Sequence, residues 1–163
     1  MQIRRAATDD CNQISSLAET IWWAHYPAII SHEQIRYMLD QFYNEDALKQ
    51  QMAQGQDFWL ISNDNGTDIG YLALTRQAEG EYFLNKFYID TNQHSKGLGT
   101  TAFALLLAQY PDLGTLRLRV NIKNYKSINF YFKIGFVIEF CIVTPIGQDY
   151  VMDDYQMICR VRK

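Results

Sequence analysis

The residues best placed to do chemistry lie where a strand-like run gives way to a helix-like one. Phe87-Tyr88-Ile89 ends an apolar segment, and Lys96-Gly97-Leu98-Gly99-Thr100 opens the next element. Two glycines one residue apart let the backbone approach a ligand with no Cβ in the way. N–H groups at a helix start then face outward and favour an anion such as a phosphate. With Ala102 the spacing also satisfies G-x-G-x-x-G/A, which points to a dinucleotide. That fingerprint requires an acidic residue about 20 positions on, at the end of the following strand, to hold a ribose hydroxyl. Here the following strand ends Arg119-Val120-Asn121, and the preceding one closes an antiparallel meander instead of opening a βαβ unit. The nicotinamide reading is rejected.

Charge placement favours a polyphosphate ligand. Gln93 to Gly135 carries six cations (Lys96, Arg117, Arg119, Lys123, Lys126, Lys133) and one acid, Asp112, while the rest of the chain carries nine cations against seventeen acids. The whole sums to -3, which argues against a nucleic-acid coat or an anionic-membrane binder. Cys11, Cys141 and Cys159 are odd in number and unrelated in spacing, with no CxxC or Cys/His cluster to suggest a metal. Reduced thiols in the cytoplasm are expected. Arg4-Arg5 is followed by aspartates rather than the apolar core of a secretory signal, and no apolar run approaches a membrane span. At 163 residues and 48% hydrophobic, the expectation is one globular domain over residues 1–163.

The elements that must hold the loop can be read from periodicity. Gln2 to Ala6 reads as a strand, and Asp9 or Asp10 can cap a helix to about Trp23, with Ile14, Leu17, Ala18, Ile21 and Trp22 in one stripe. Tyr26-Pro27 breaks it. Ser31 opens a second helix and Glu45 to Met52 is a short third. Phe58-Trp59-Leu60-Ile61, Gly70 to Thr75 and Tyr82 to Ile89 form a meander. Its turns are Asn65-Gly66, where both residues can take positive φ, and Glu79-Gly80. The period then changes: helix from Gly97 to Tyr110, strand from Thr115 to Val120, helix from Asn124 to Ile134, and strands from Phe136 to Val143 and Tyr150 to Arg160. Antiparallel strands followed by a β-α-β-α-β run imply a mixed sheet with helices on its faces.

At the level of motifs a family resemblance becomes specific. Phe87-Tyr88-Ile89 followed by Lys96-Gly97-Leu98-Gly99 resembles motif A of the GNAT N-acetyltransferases, which bind acetyl-CoA through this strand and loop. Asn121 with Asn124-Tyr125-Lys126-Ser127-Ile128-Asn129-Phe130-Tyr131-Phe132-Lys133-Ile134-Gly135-Phe136 resembles their motif B, Asn-x-x-Ala-x-x-(Phe)-Tyr-x-x-x-Gly-Phe. Two departures stand out. His94 replaces the usual Gln or Arg, and Ser127 the common Ala, yet neither removes a backbone N–H. Thr20 to Tyr26, with Ser31 to Ile35 and Tyr37 to Leu39, is similar to a bacterial branch that includes polyamine (spermidine/spermine) acetyltransferases.

The resemblance implies an α/β (α+β) fold with a mixed, mostly antiparallel central sheet of about seven strands, flanked by helices on both faces. It implies acetyl-CoA as cofactor, contacted by Phe87, Tyr88, Ile89, His94, Ser95, Lys96, Gly97, Leu98, Gly99, Thr100, Asn121, Asn124, Ser127 and Tyr131. Acetyl transfer to an amine needs a neutral amine, a polarised carbonyl and a proton for the departing thiolate. By motif position Tyr131 is the expected acid at sulfur, and the Ile89 N–H the expected donor to the carbonyl. The base is less determined: Phe83 stands where many relatives carry Glu, leaving Glu81, on the same strand parity, or His25. An exposed turn carboxylate is the alternative for Glu81. Trp23, His25 and Tyr26, at the break between helices, are expected to line the substrate cleft, with Trp22 in the core. The first 90 residues hold six cations and thirteen acids, which suits a small cationic amine. The expectation is a cytoplasmic acetyltransferase, monomeric or homodimeric, without nucleic-acid or membrane partners. A peptide or protein amine as acceptor, and a non-catalytic acyl-CoA sensor, are the alternatives.

Overall fold

The computed structural model describes residues 1–90, 92 and 97–161. The strands are β1 (Gln2–Arg5), β2 (Gln56–Ser62), β3 (Asp68–Ala78), β4 (Glu81–Ile89), β5 (Thr115–Asn121), β6 (Val137–Gly147) and β7 (Tyr150–Arg160). They form a seven-stranded sheet in the order β1-β2-β3-β4-β5-β7-β6. The β4–β5 pair is parallel, from Glu81↔Thr115 to Leu84↔Leu118, and β1–β2, β2–β3, β5–β7 and β6–β7 are antiparallel. The mixed, mostly antiparallel sheet expected from the sequence is the one observed. Contacts divide the chain into two compact units, Met1–Thr75 with Asn85–Pro111, and Arg76–Leu84 with Asp112–Lys163.

The first unit contains three helices from the N-terminal half, α1 (Cys11–His25), α2 (His32–Phe42) and α3 (Glu45–Ala53), and α4 (Leu98–Gln109). α1 buries Cys11, Ile14, Ala18, Ile21 and Trp22, the stripe that its periodicity predicts. Its start differs from expectation. Asp10 does not cap the helix, because its carboxylate takes the Arg4 guanidinium at 2.7 and 2.9 Å and the Ala7 N–H at 2.8 Å. α2 is capped by the Ser31 hydroxyl, which accepts from the Gln34 N–H at 3.1 Å, and α3 by the Asn44 carbonyl, which accepts from the Ala47 N–H at 2.9 Å. The β2–β3 turn also differs. Only Gly66 takes positive φ, since the Asn63 side chain accepts from the Asn65 and Thr67 N–H groups and closes a longer loop.

The second unit contains α5 (Tyr125–Lys133) and the β5, β6 and β7 strands. β6 runs past the expected Val143 to Gly147, through Pro145. Proline is tolerated there because β6 is the sheet edge, where no neighbour needs its missing N–H. Gln148 and Asp149, both at positive φ, make the two-residue turn into β7 without a glycine at either position. Among the described residues no helix is long and apolar enough to cross a membrane.

Candidate functional site

In the first unit, the end of β4 and the start of α4 lie on one continuous stretch of chain. His94, Ser95 and Lys96 fall outside the described residues. Gly97 caps α4 at φ +89°, the left-handed region that a Cβ disfavours, and among the described residues no side chain caps the helix. The Gly97 carbonyl accepts from the Thr101 N–H at 3.0 Å. The amides of Leu98, Gly99 and Thr100 precede that bond, in the first turn, where a helix supplies its N–H groups with no partner of its own. No acidic residue stands in this first turn. By contrast α2, α3 and α5 each carry a side-chain cap. The α4 start is therefore a donor set with positive helix-dipole character, matched to an anion.

Phe87, Tyr88 and Ile89 end β4, each half-buried. Gly70 on β3 lies directly against them: a Cβ there would sit 2.3 Å from the Tyr88 carbonyl oxygen and 3.0 Å from Ile89 Cα. Here the glycine permits close approach of two backbones rather than a turn.

Tyr88 reaches into an aromatic cluster with Trp22, Tyr26, Tyr43 and Tyr71, at ring separations of 4.3 to 6.4 Å. The Tyr26 and Tyr88 hydroxyls meet at 3.3 Å. Burial pushes the Tyr43 and Tyr71 phenols well above their ordinary range, so both stay neutral. Of the expected cleft residues, Tyr26 joins this cluster and His25 packs edge-on against Tyr26 at 5.0 Å. Trp23 is held elsewhere: its indole N–H donates to Glu19 at 2.8 Å, and Arg36 lies over its ring at 5.4 Å.

One buried cation went unnoticed in the sequence. Lys86 is 8% exposed, donating to the Gln51 and Gln56 side-chain carbonyls at 2.5 and 3.2 Å, with the Tyr43 and Phe58 rings 5.4 and 5.2 Å away. Burial lowers its pKa to about 8. Its only sequence signal is strand parity, since it falls on the same alternate positions as the buried Tyr82 and Leu84.

In the second unit, the motif asparagines shape the β5–α5 turn. The Asn121 side-chain carbonyl accepts from the Lys123 N–H at 2.9 Å, and the Asn124 carbonyl accepts from the Ser127 N–H at 3.2 Å. Asn124 is thus the N-cap of α5. Tyr131 is 8% exposed, with its ring 5.5 Å from that of Phe136, and burial raises its pKa. It remains a neutral phenol, able to donate. Glu81 opens β4 opposite Thr115, and its carboxylate takes the Arg117 guanidinium at 3.0 Å, which also holds Glu139 at 3.1 Å. Asn121 lies six residues beyond Thr115 on β5, roughly 20 Å at the usual strand rise. Glu81 occupies an exposed ion pair far from the carboxyl end of β5, the alternative that the sequence offered for it. The same pair engages Arg117, removing one of the cations counted toward an anion site. Asp154, which no motif flags, is buried on β7 beside Asn121. Among the described residues no group of three or more His, Cys, Asp or Glu is arranged to hold a metal ion.

Comparison with known proteins adds to this geometry. The model of the acetyltransferase (GNAT) family matches residues 16–136. An uncharacterised N-acetyltransferase of Mycobacterium tuberculosis is 26% identical over 149 residues, covering 88% of this chain and 96% of that protein. Spermidine N(1)-acetyltransferase of Thermoplasma acidophilum is 24% identical over 159 residues, covering 94% and 96%. Among solved structures, the PaiA N-acetyltransferase of Thermoplasma acidophilum in complex with coenzyme A superimposes with a TM-score of 0.79 at 22% identity, covering 98% of each chain.

Proposed function

The chain belongs to the acetyltransferase (GNAT) family and is an acyltransferase, and on that premise we propose that it moves an acetyl group from acetyl-CoA directly to a primary amine of a small cationic substrate. The observation that carries the reading is the α4 start: a left-handed Gly97, first-turn amides that the helix itself leaves unpaired, and, among the described residues, no side-chain cap or first-turn acid to compete with a pyrophosphate. Donors of this kind fit an anionic diphosphate and would repel nothing on it. A relative that acts on spermidine, and the thirteen acids of the first 90 residues, support a polyamine-like acceptor. The chain is proposed to act as one acetyltransferase domain over residues 1–163.

Bound acetyl-CoA supplies an activated thioester carbonyl. The residues of the chain do the rest. Leu98, Gly99 and Thr100 amides hold the diphosphate, and His94, Ser95 and Lys96 are proposed contacts of the same ligand. Phe87, Tyr88 and Ile89 carry the pantetheine arm, and the Ile89 N–H polarises the carbonyl, where one such donor contributes about 3 kcal/mol. Asn121, Asn124 and Ser127 fix the turn that presents α5. Tyr131 donates its phenolic proton to the departing thiolate. Tyr26, with the Tyr88 hydroxyl beside it, and His25 border the amine; Trp23 supports that wall through Glu19 and Arg36.

Two variants test the reading. Gly97→Val forces a β-branched residue into left-handed backbone, and Gly99→Val adds bulk among the anion-binding amides. Each should weaken acetyl-CoA binding measured by calorimetry while the protein stays folded; wild-type affinity in a folded Gly99→Val protein refutes the site. Tyr131→Phe keeps the ring packing but removes the proton donor. Its kcat should fall about 10- to 1000-fold with acetyl-CoA affinity unchanged, which also separates an enzyme from a sensor that only binds.

A further inference from the structure

β7 carries a carboxylate to which the residues described above give no task. Asp154 is 4% exposed, and its Oδ1 has no hydrogen-bond partner among the described residues. Burying a carboxylate oxygen without a donor is costly, and an orphan of this kind calls for a partner that arrives with a ligand or a reaction. Its place in the fold is specific. Asp154 pairs in register with Asn121, the last residue of β5, and with Ile142 on β6. Cross-strand partners share a face, so Asp154 and Asn121 project together at the carboxyl end of β5. Ligands of α/β folds gather at the carboxyl ends of their parallel strands. Asn124 and Tyr131 belong to the same compact unit.

The surroundings leave the group able to cycle. Burial pushes its carboxyl up to about 6; the Arg119 charge on β5 pulls it back, and Asp153 beside it on β7 adds to the rise. From β6 the register partner is Ile142, and the Glu139 carboxylate of that strand is engaged by Arg117 and Gln156. The group is ionised at neutral pH yet holds a proton more readily than a surface aspartate. Glu81, by contrast, sits in its ion pair at the other end of β5.

We propose that Asp154 is the general base that takes the proton from the acceptor amine. The assignment rests on the acetyl-transfer reading above. The ammonium N–H proton passes to the Asp154 carboxylate, and the freed lone pair forms the C–N bond to the thioester carbon. The C–S bond breaks, the thiolate takes the Tyr131 phenolic proton, and the phenolate recovers one from the acylated nitrogen. Asp154 gives its proton to water, so one proton leaves per turnover.

The test uses the full chain, acetyl-CoA and a panel of primary amines that includes spermidine, followed by thiol release from pH 5 to 10. Asp154→Asn should keep or raise Tm and bind acetyl-CoA like wild type, yet lose about 100- to 10,000-fold in kcat/KM at pH 7. The deficit should shrink about tenfold per pH unit as pH climbs toward the amine pKa near 10.4, where solution supplies the free amine. A structural role would give no such rescue. Arg119→Gln, which removes the opposing charge, should shift the acidic limb of the wild-type profile to higher pH. Equal turnover of Asp154→Asn and wild type with binding intact, or a limb that stays put in Arg119→Gln, overturns the assignment alone. Absence of acetyl-CoA binding, or of turnover with every amine by wild type, overturns the acetyl-transfer reading and this assignment with it.

Discussion

Gly70→Ala places a methyl group where two strands leave no room for one. The new Cβ would lie 2.3 Å from the Tyr88 carbonyl oxygen, 3.0 Å from Ile89 Cα and 3.2 Å from Ile89 Cγ1. Two of these atoms are backbone, so no rotamer change relieves the clash. Restoring an ordinary contact of 3.4 Å requires β3 and the Tyr88–Ile89 peptide to part by roughly 1 Å. Replacing a strand glycine by alanine would otherwise gain about 0.5–1 kcal/mol from reduced backbone freedom. Overpacking of this kind costs about 1–3 kcal/mol, so the clash decides the sign. The net loss of up to about 2.5 kcal/mol corresponds to a fall in Tm of up to roughly 10 °C for a domain of this size. The catalytic effect should be larger in proportion. A 1 Å misplacement of a reacting group costs about 100-fold, and the peptide that moves is the one whose N–H is proposed to polarise the thioester. The assay pairs calorimetric Tm with kcat from thiol release. Gly114→Ala is the control, since Gly114 lies outside the left-handed region and its Cβ would meet only the Gly80 carbonyl oxygen at 3.6 Å, an ordinary contact. A Gly70→Ala protein with unchanged Tm and kcat within twofold of wild type refutes the reasoning.

Other expectations concern groups whose environments the packed chain defines. Lys86 has a folded pKa of about 8 against 10.5 in the unfolded chain, so the unfolded state binds more protons between those values, and stability from this group rises with pH through that window. Denaturant titrations from pH 7 to 10.5 should show that rise in wild type and lose it in Lys86→Met; identical slopes would remove Lys86 as its source. Asn124→Ala deletes the α5 cap and should cost about 0.5–2 kcal/mol, read as a lower urea midpoint at unchanged m-value. Glu81→Gln breaks a half-exposed ion pair with Arg117, and surface pairs contribute about 0–1 kcal/mol, so stability should barely move and kcat should stay within twofold. A large kcat loss would instead restore Glu81 to the chemistry.

Local signals carried much of this protein in its sequence. The α1 stripe, the Ser31 and Asn124 caps, the turn at Gly80 and the two motifs around Gly97 and Tyr131 depend on neighbours within a few residues, and local sterics and hydrogen bonding decide them. Where a local rule met a distant partner, the partner won. Asp10 has the chemistry of a cap but is taken by Arg4, and Pro145 reads as a strand breaker but lies on an edge that forgives it. Glu81 has the right type and parity for a base, yet Arg117 and its position at the start of β4 hold it at the surface. The burial of Asp154 had no local mark and that of Lys86 only its strand parity: each is a charged residue on a strand, ordinary until the packed chain shuts water away from it. Sequence patterning determined which elements form and which motif begins α4, because those choices are settled by periodicity and by backbone conformation. Which titratable groups are buried, and so which can change protonation in catalysis, was decided only by the tertiary structure, because desolvation depends on residues far apart in the chain.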